Sequence, residues 1–158
     1  MFRPMRRKNK ELSRELTEAL LAGERRGVLA LHGEDGYPYA VPINYLYSGD
    51  ENCIYFHGAR AGYKYELLKK CEQVCFTVCG GERIGDEDWA PFVRSAVVFG
   101  RCRAVEEPEE NLRLVRRFAE KYYPDAALME GEITAFGRAV QMFRIEIEHL
   151  SGKEIQEK

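Results

Sequence analysis

Short apolar runs separated by glycine- and aspartate-containing turns constrain the fold of this chain more than any other sequence feature. The first three runs follow one another closely, at 28–32, 37–47 and 53–57. Connections as short as these join antiparallel strands, so the three runs predict a β-meander. Three further runs, at 74–79, 95–105 and 140–147, have strand-like patterns and predict three more strands.

Helical patterns occur before and between these strands. Asn9 is a candidate N-cap for a first helix, and Gly23 is its candidate stop. Further helices are predicted over 62–70, 108–123 and 125–136. The fold class is therefore mainly β (α+β), with six antiparallel strands and peripheral helices. Because a six-stranded sheet has two edges to hide, we expect a small barrel.

The length and the charge of the chain limit its organisation and its partners. A chain of 158 residues predicts one domain spanning 1–158. The net charge of −2 argues against a nucleic-acid partner. No run approaches the about 18 apolar residues of a membrane span, and no apolar stretch follows the basic start as in a secretory signal. We expect a cytoplasmic protein without a membrane partner.

The first ten residues form a basic arm. Its five cations are Arg3, Arg6, Arg7, Lys8 and Lys10. Such an arm could contact phosphates, but a solvated terminus explains the same pattern and is favoured.

Five cysteines in a chain without an export signal predict free thiols. Cys71, Cys75 and Cys79 recur every four residues, yet they fall in and beside a strand pattern and lack the C-x2-C pairs of zinc sites. No metal site is expected.

The turn after the third strand carries the most informative chemistry. The strand ends at His57, the small residues Gly58 and Ala59 follow, and a helix begins with Arg60 and Lys64 near its first turn. Backbone N–H groups at a helix N-terminus attract anions, and the three cationic or imidazole side chains add donors. The pattern fits a phosphate cradle. It also fits an ordinary strand-to-helix turn with a satisfied histidine and two surface cations.

A second candidate segment is 41–45. Pro42 cannot donate to a strand ladder, so it belongs on an edge or at a bulge, where neighbouring backbone groups are free for a flat ring. An ordinary edge strand explains the proline equally well. No motif identifies a catalytic residue, since nucleophile-elbow, metalloprotease, P-loop and dinucleotide-binding patterns are all absent from the sequence.

Four segments, in this order and spacing, resemble one known family. They are GYPYAVPINY, IYFHGARAGYKYELLKK, VRSAVVFGRCRAVE and FRIEIEHLSGK. The chain resembles the FMN-binding split-barrel family related to pyridoxamine 5′-phosphate oxidase, in particular its nitroimidazole-resistance (Nim-type) branch. The resemblance runs from about Met5 to Lys153. It implies a split β-barrel homodimer that binds one FMN per subunit in a groove at the interface.

The resemblance also implies cofactor contacts. The implied flavin contacts are Val41, Pro42, Ile43, Asn44 and Tyr45 along the isoalloxazine, His57, Gly58, Ala59 and Lys64 around the phosphate, and Arg94 and Ser95 near the flavin from one subunit or the other. One departure is Gly58, where many relatives have Cys or Ser.

The activity implied by the resemblance is that of an FMN-dependent oxidoreductase reducing nitro groups of small aromatic acceptors. Two alternatives remain open. One is an FMN-binding electron carrier or stress sensor without turnover. The other is a haem-binding split-barrel protein with His57 or His149 as axial ligand.

Overall fold

The computed structural model describes residues 1–86 and 88–157, which form one curled sheet with helices packed around it. Within these residues the seven strands are β1 (Arg26–His32), β2 (Pro38–Asn44), β3 (Leu46–Ser48), β4 (Cys53–Gly58), β5 (Gln73–Arg83), β6 (Phe92–Ala104) and β7 (Gln141–Gln156). The four α-helices of the same residues are α1 (Arg14–Gly23), α2 (Tyr63–Lys70), α3 (Pro108–Tyr122) and α4 (Ala126–Phe136). None of these helices is both long and apolar enough to cross a bilayer.

All strand pairings are antiparallel, and the order across the sheet is β2-β1-β5-β6-β7-β4-β3. The mainly β fold with peripheral helices is confirmed. The predicted number of six strands was wrong, because the run at 37–47 divides into β2 and β3 at Tyr45. β2 pairs with β1 and β3 pairs with β4, so one stretch of chain joins both ends of the sheet.

The division between β2 and β3 is held by a tyrosine from a distant helix. The backbone N–H of Tyr45 donates to the hydroxyl of Tyr122 at 2.9 Å. That hydroxyl lies 2.6 Å from the Tyr45 carbonyl oxygen and 2.8 Å from the Arg25 carbonyl oxygen, and its single proton is shared between these two acceptors. The Tyr45 side chain is fully buried and donates to the Leu21 carbonyl oxygen at 2.7 Å. The Tyr122 hydroxyl therefore takes the place of a neighbouring strand for the backbone N–H and C=O of Tyr45.

The helices divide between the two faces of the curled sheet. α1 and α2 pack leucines into the inner core, which contains Leu20, Leu21, Leu29, Phe56, Leu67, Leu68, Phe76, Val98 and Phe143. α3 and α4 pack on the opposite face of β4 and β7, in a second cluster that contains Cys53, Tyr55, Leu114, Phe118, Ile133 and Met142. On the outer side of β1, β5 and β6, Val28 and Phe99 remain 39% and 38% exposed.

The start of α1 differs from the prediction. Asn9 lies in a short 3₁₀ turn, Lys8–Lys10, and does not cap the helix. Ser13 is the N-cap instead, because its hydroxyl accepts the Leu16 N–H at 3.3 Å. Between the two, Glu11 bridges to Lys153 of β7, which keeps the backbone extended until the cap is reached.

We expect Tyr122→Phe to destabilise the protein, because the buried Tyr45 peptide loses its hydrogen-bond partner. The expected loss in the free energy of unfolding is about 1–3 kcal/mol. Urea denaturation followed by circular dichroism measures it. Tyr123→Phe is the matched control, since Tyr123 is 38% exposed at the end of the same helix. Equal stability of both variants would contradict the role given to the Tyr122 hydroxyl.

Candidate functional site

The turn between β4 and α2 is built around a glycine in an unusual backbone conformation. Gly62 precedes α2 with a φ of +95°, which a residue with a side chain adopts only under strain. No side chain caps this helix end, and the first hydrogen bond of the helix joins the Glu66 N–H to the Gly62 carbonyl oxygen at 3.1 Å. The N–H groups of the first turn remain available for an anion.

Lys64 occupies the first turn of α2 and is half-buried. Its Nζ lies 5.2 Å from the ring centroid of Phe56, a fully buried residue of β4. Burial lowers the pKa of Lys64. Within residues 1–86 and 88–157, its ammonium forms neither an ion pair nor a hydrogen bond. A partly desolvated charge without a partner is costly, so this position favours an added anion.

Gly58 leaves the space that the Lys64 ammonium uses. A Cβ at position 58 would lie 3.2 Å from Lys64 Nζ and 3.3 Å from the Phe143 ring. These contacts are tighter than most Cβ contacts in proteins, so a larger residue would require the lysine or the Phe143 ring to shift by a few tenths of an ångström. The absence of a side chain at Gly58 therefore leaves room for the Lys64 ammonium. We call Gly58, Ala59, Gly62 and Lys64, with the N-terminal turn of α2, the cradle.

The imidazole of His57 points to the other side of β4. Its ring lies edge-on to Phe118 of α3, with 5.0 Å between centroids. His57 is exposed as a residue, but the Phe118 ring and its surroundings remove water from part of the imidazole. This desolvation lowers the pKa of His57, and the nearby positive charge of Lys64 lowers it further. Arg60 is exposed and borders a groove with Pro108 and Arg138. The predicted cluster is thus assembled around Lys64 and Gly58, while the His57 and Arg60 side chains face other surroundings.

The segment 41–45 follows the edge of the sheet, as the proline predicts. β2 is the outermost strand, and Pro42 is exposed on it. Ile43 and Tyr45 direct their side chains into the inner core, whereas Val41 and Asn44 are half-buried. β2 also lies against β4, the strand that leads into the cradle. Val41 packs against the same core as Ile43, so a ligand along this segment would meet backbone groups and the side chains of Pro42 and Asn44.

Arg94 and Ser95 lie far from the cradle within one chain. Arg94 Nε donates to Glu154 of β7 at 2.8 Å, and Ser95 stands opposite Lys153. The cradle end of β4 pairs with the start of β7, where Gly58 stands opposite Gln141. On β7, the partner of Gly58 (Gln141) and the partner of Ser95 (Lys153) are about 12 residues apart, which corresponds to roughly 40 Å of extended chain.

The aromatic surroundings of Lys64 were not predicted. Phe56 and Phe143 stack at 5.0 Å between centroids and enclose its side chain from the core side. Tyr63 of α2 packs edge-on against Tyr39 of β2 at 4.9 Å, and its hydroxyl accepts the Glu34 N–H. Strand alternation places Phe56 and Gly58 on one side, which is the signal that could have identified Phe56.

A comparison with protein families identifies the chain. The sequence profile of the family described as pyridoxamine 5′-phosphate oxidase matches residues 13–154, nearly the whole chain. The chain belongs to this family. The resemblance drawn from the sequence is thereby confirmed at the level of the family. No curated protein matches the chain at a significant level.

Solved structures share the fold. A proposed 5-nitroimidazole antibiotic resistance protein from Bacteroides thetaiotaomicron is 20% identical, with a TM-score of 0.75 over 92% of this chain and 87% of that one. An FAD-binding protein from Mesorhizobium loti is 25% identical, with a TM-score of 0.64 over 92% and 97%. The FAD and heme binding protein from Mycobacterium smegmatis is 19% identical, with a TM-score of 0.72 over 94% and 74%.

We expect His57 to titrate below its ordinary pKa near 6.5, and Phe118→Ala to raise its midpoint by exposing the ring to water. Lys64→Ala should raise it less, because burial is the larger cause. The unfolded chain binds a proton at His57 more readily than the folded chain does. The free energy of unfolding therefore falls as the pH drops below about 6.5, and it levels off below the pKa of His57 in the folded chain. NMR titration of the imidazole measures the midpoints. A wild-type midpoint at or above 6.5 would contradict this assignment.

Proposed function

We propose that the protein binds FMN and acts as a flavin-dependent oxidoreductase. The observation that carries the proposal is the half-buried ammonium of Lys64, which has no anionic partner in residues 1–86 and 88–157. This ammonium lies next to Gly58 and in the first turn of α2, whose N-terminus no side chain caps. A phosphate monoester supplies the missing charge. Flavin-binding proteins among the solved structures of this fold support a flavin as its carrier.

The residues of the chain fit a flavin in two places. The cradle would hold the phosphate through Lys64, the α2 N–H groups and the backbone at His57, Gly58 and Ala59. The free edge of β2 at 41–44 would offer backbone donors and acceptors to the polar edge of the ring, whereas the backbone groups of Tyr45 are already bound to the Tyr122 hydroxyl. A bound flavin supplies hydride or single-electron transfer, and the protein positions the ring and limits water around it.

Small aromatic nitro compounds are the proposed acceptors. The family resemblance carries this step, and the likeness to a proposed nitroimidazole-resistance protein supports it. Oxidation of NAD(P)H by the purified protein, with and without a nitroaromatic acceptor, separates an enzyme from an electron carrier or sensor. The absorbance spectrum and mass of the ligand released by heat distinguish FMN, FAD and haem.

Lys64→Ala should weaken FMN binding about ten- to a hundredfold, because one charge-assisted hydrogen bond is worth roughly 1.5–3 kcal/mol. Riboflavin lacks the phosphate, so its affinity should change little. Flavin fluorescence quenching measures both affinities. Lys69→Ala is the matched control, since Lys69 lies on the same helix and its side chain covers the Tyr65 ring. Equal weakening of FMN and riboflavin by Lys64→Ala would rule out the phosphate assignment.

A second copy of the chain is proposed to complete the site. The uncovered side of β2, β1, β5 and β6, which we call the outer face, carries two rows of mainly small or apolar residues. One row contains Pro42, Val28, Thr77 and Val97, and the other contains Ala40, Ala30, Cys75 and Phe99. α3 packs on β4 and β7 and leaves this face exposed, except where the Phe2 ring of the N-terminal arm stacks on Phe99 with 5.6 Å between centroids.

Covering such a face with a second copy is the commonest solution, and it gives a two-fold homodimer. Arg94 and Ser95 support the same arrangement. They lie remote from the cradle of their own chain, so in the proposed dimer they would approach the phosphate end of the flavin from the partner. The proposed FMN site is therefore shared between two subunits.

Val28→Lys should dissociate the proposed dimer and release flavin, because it buries a charge in the interface. Val28 is 39% exposed in the single chain, so the folded subunit tolerates the change. Light scattering coupled to gel filtration, with flavin absorbance recorded across the peak, measures both effects. Leu128→Lys on α4 is the control, at a position 48% exposed. A wild-type monomer with a full complement of FMN would refute the shared site.

A further inference from the structure

A groove of about 390 Å³ lies where the turn after β4 meets the start of α3 and the short turn before β7. Small-molecule sites in proteins usually have volumes of about 300–1,000 Å³, so the groove has room for a ligand. None of the flavin contacts proposed above lines it. Its wall is formed by Arg60, Pro108, Glu109, Asn111, Leu112 and Arg138.

Two arginines bring positive charge to this groove. Arg60 belongs to the turn after β4, and Arg138 belongs to the 3₁₀ turn Gly137–Ala139. In the part of the chain that the structure describes, neither guanidinium forms an ion pair or a hydrogen bond. Glu109 is the one carboxylate in the wall, so two positive charges face one negative charge. The groove therefore favours an anionic ligand.

The groove adjoins the cradle through the turn 59–62. Ala59 and Gly62 belong to the cradle, whereas Arg60 lies between them in the sequence and lines the groove. Gly58 of the cradle stands opposite Gln141, which follows Arg138 closely in the chain. One short turn thus separates Lys64 from the pair of arginines. A ligand with two linked phosphates can place one phosphate on each side of this turn.

The same groove offers an apolar surface next to the arginines. Pro108 and Leu112 are four residues apart on α3, so they share one face of the helix. A guanidinium stacks on the face of a flat aromatic ring, and apolar side chains can cover the opposite face. The groove therefore suits a phosphate that carries a planar base better than it suits a phosphate alone.

We propose that this groove binds the second phosphate and the adenine ring of FAD, with Arg60 and Arg138 on the phosphate. The proposal rests on the flavin binding proposed above and extends the cofactor from FMN to FAD. The first phosphate, which FMN also carries, lies in the cradle. The second phosphate meets guanidinium groups, whose planar N–H donors match phosphate oxygens in pairs.

Isothermal titration of the flavin-free protein with FMN and with FAD tests the assignment. FAD should bind about tenfold more tightly than FMN, because it gains charge-assisted hydrogen bonds in the groove. Arg138→Ala should weaken FAD about tenfold and change FMN by less than about twofold, and Arg138→Lys should restore part of the loss. Arg116→Ala is the matched control, since Arg116 lies on α3 and pairs with Glu130.

AMP as a probe tests the groove independently of flavin. In flavin-free protein, AMP binding should survive Lys64→Ala and be lost in Arg138→Ala. The FMN-loaded protein should bind AMP, whereas the FAD-loaded protein should not. Because the AMP result does not depend on either flavin, failure of the FMN proposal and failure of this one are distinguishable.

Three results would overturn the proposal. The first is a wild-type protein that binds FMN but not FAD, and the second is an equal loss of FMN and FAD affinity in Arg138→Ala. The third is displacement of AMP by an equal concentration of inorganic phosphate, which would assign the groove to free phosphate.

Discussion

The hydrogen bonds between Tyr122 and the peptide of Tyr45 determine how the rest of the molecule is arranged. At this point the chain stops pairing with β1 and begins to pair with β4, which leaves one buried peptide without a strand neighbour. An unsatisfied buried peptide group costs about 1–3 kcal/mol. By supplying the partner, α3 fixes the closure of the sheet and its own position against β4 and β7.

That position of α3 gives β4 two different surroundings. On the inner side, Phe56 and Gly58 meet the half-buried ammonium of Lys64. On the outer side, His57 meets an apolar wall of α3. Strand alternation thus gives the side chains of two consecutive residues opposite surroundings.

Much of the fold could be predicted from the sequence, because turns and apolar alternation are local signals. The family match and the edge position of Pro42 are confirmed. The break at Tyr45 could not be predicted, since its cause is a hydroxyl 77 residues away. The start of α1 was placed at Asn9, whereas the bridge from Glu11 to β7 keeps the backbone extended up to Ser13, which caps the helix.

The candidate site was predicted less completely. The small residues and Lys64 identified the cradle. The surroundings of the His57 ring depend on which helix covers β4, and the sequence near His57 does not indicate which helix that is. Arg94 and Ser95 were assigned by resemblance, and their distance from the cradle follows only from the pairing of β6 with β7.

Gly58 offers a way for the anion affinity of such a cradle to change during evolution. Because an added Cβ there would lie 3.2 Å from the ammonium and shift it by a few tenths of an ångström, anion affinity can be adjusted by mutating a neighbour while the lysine itself is left intact.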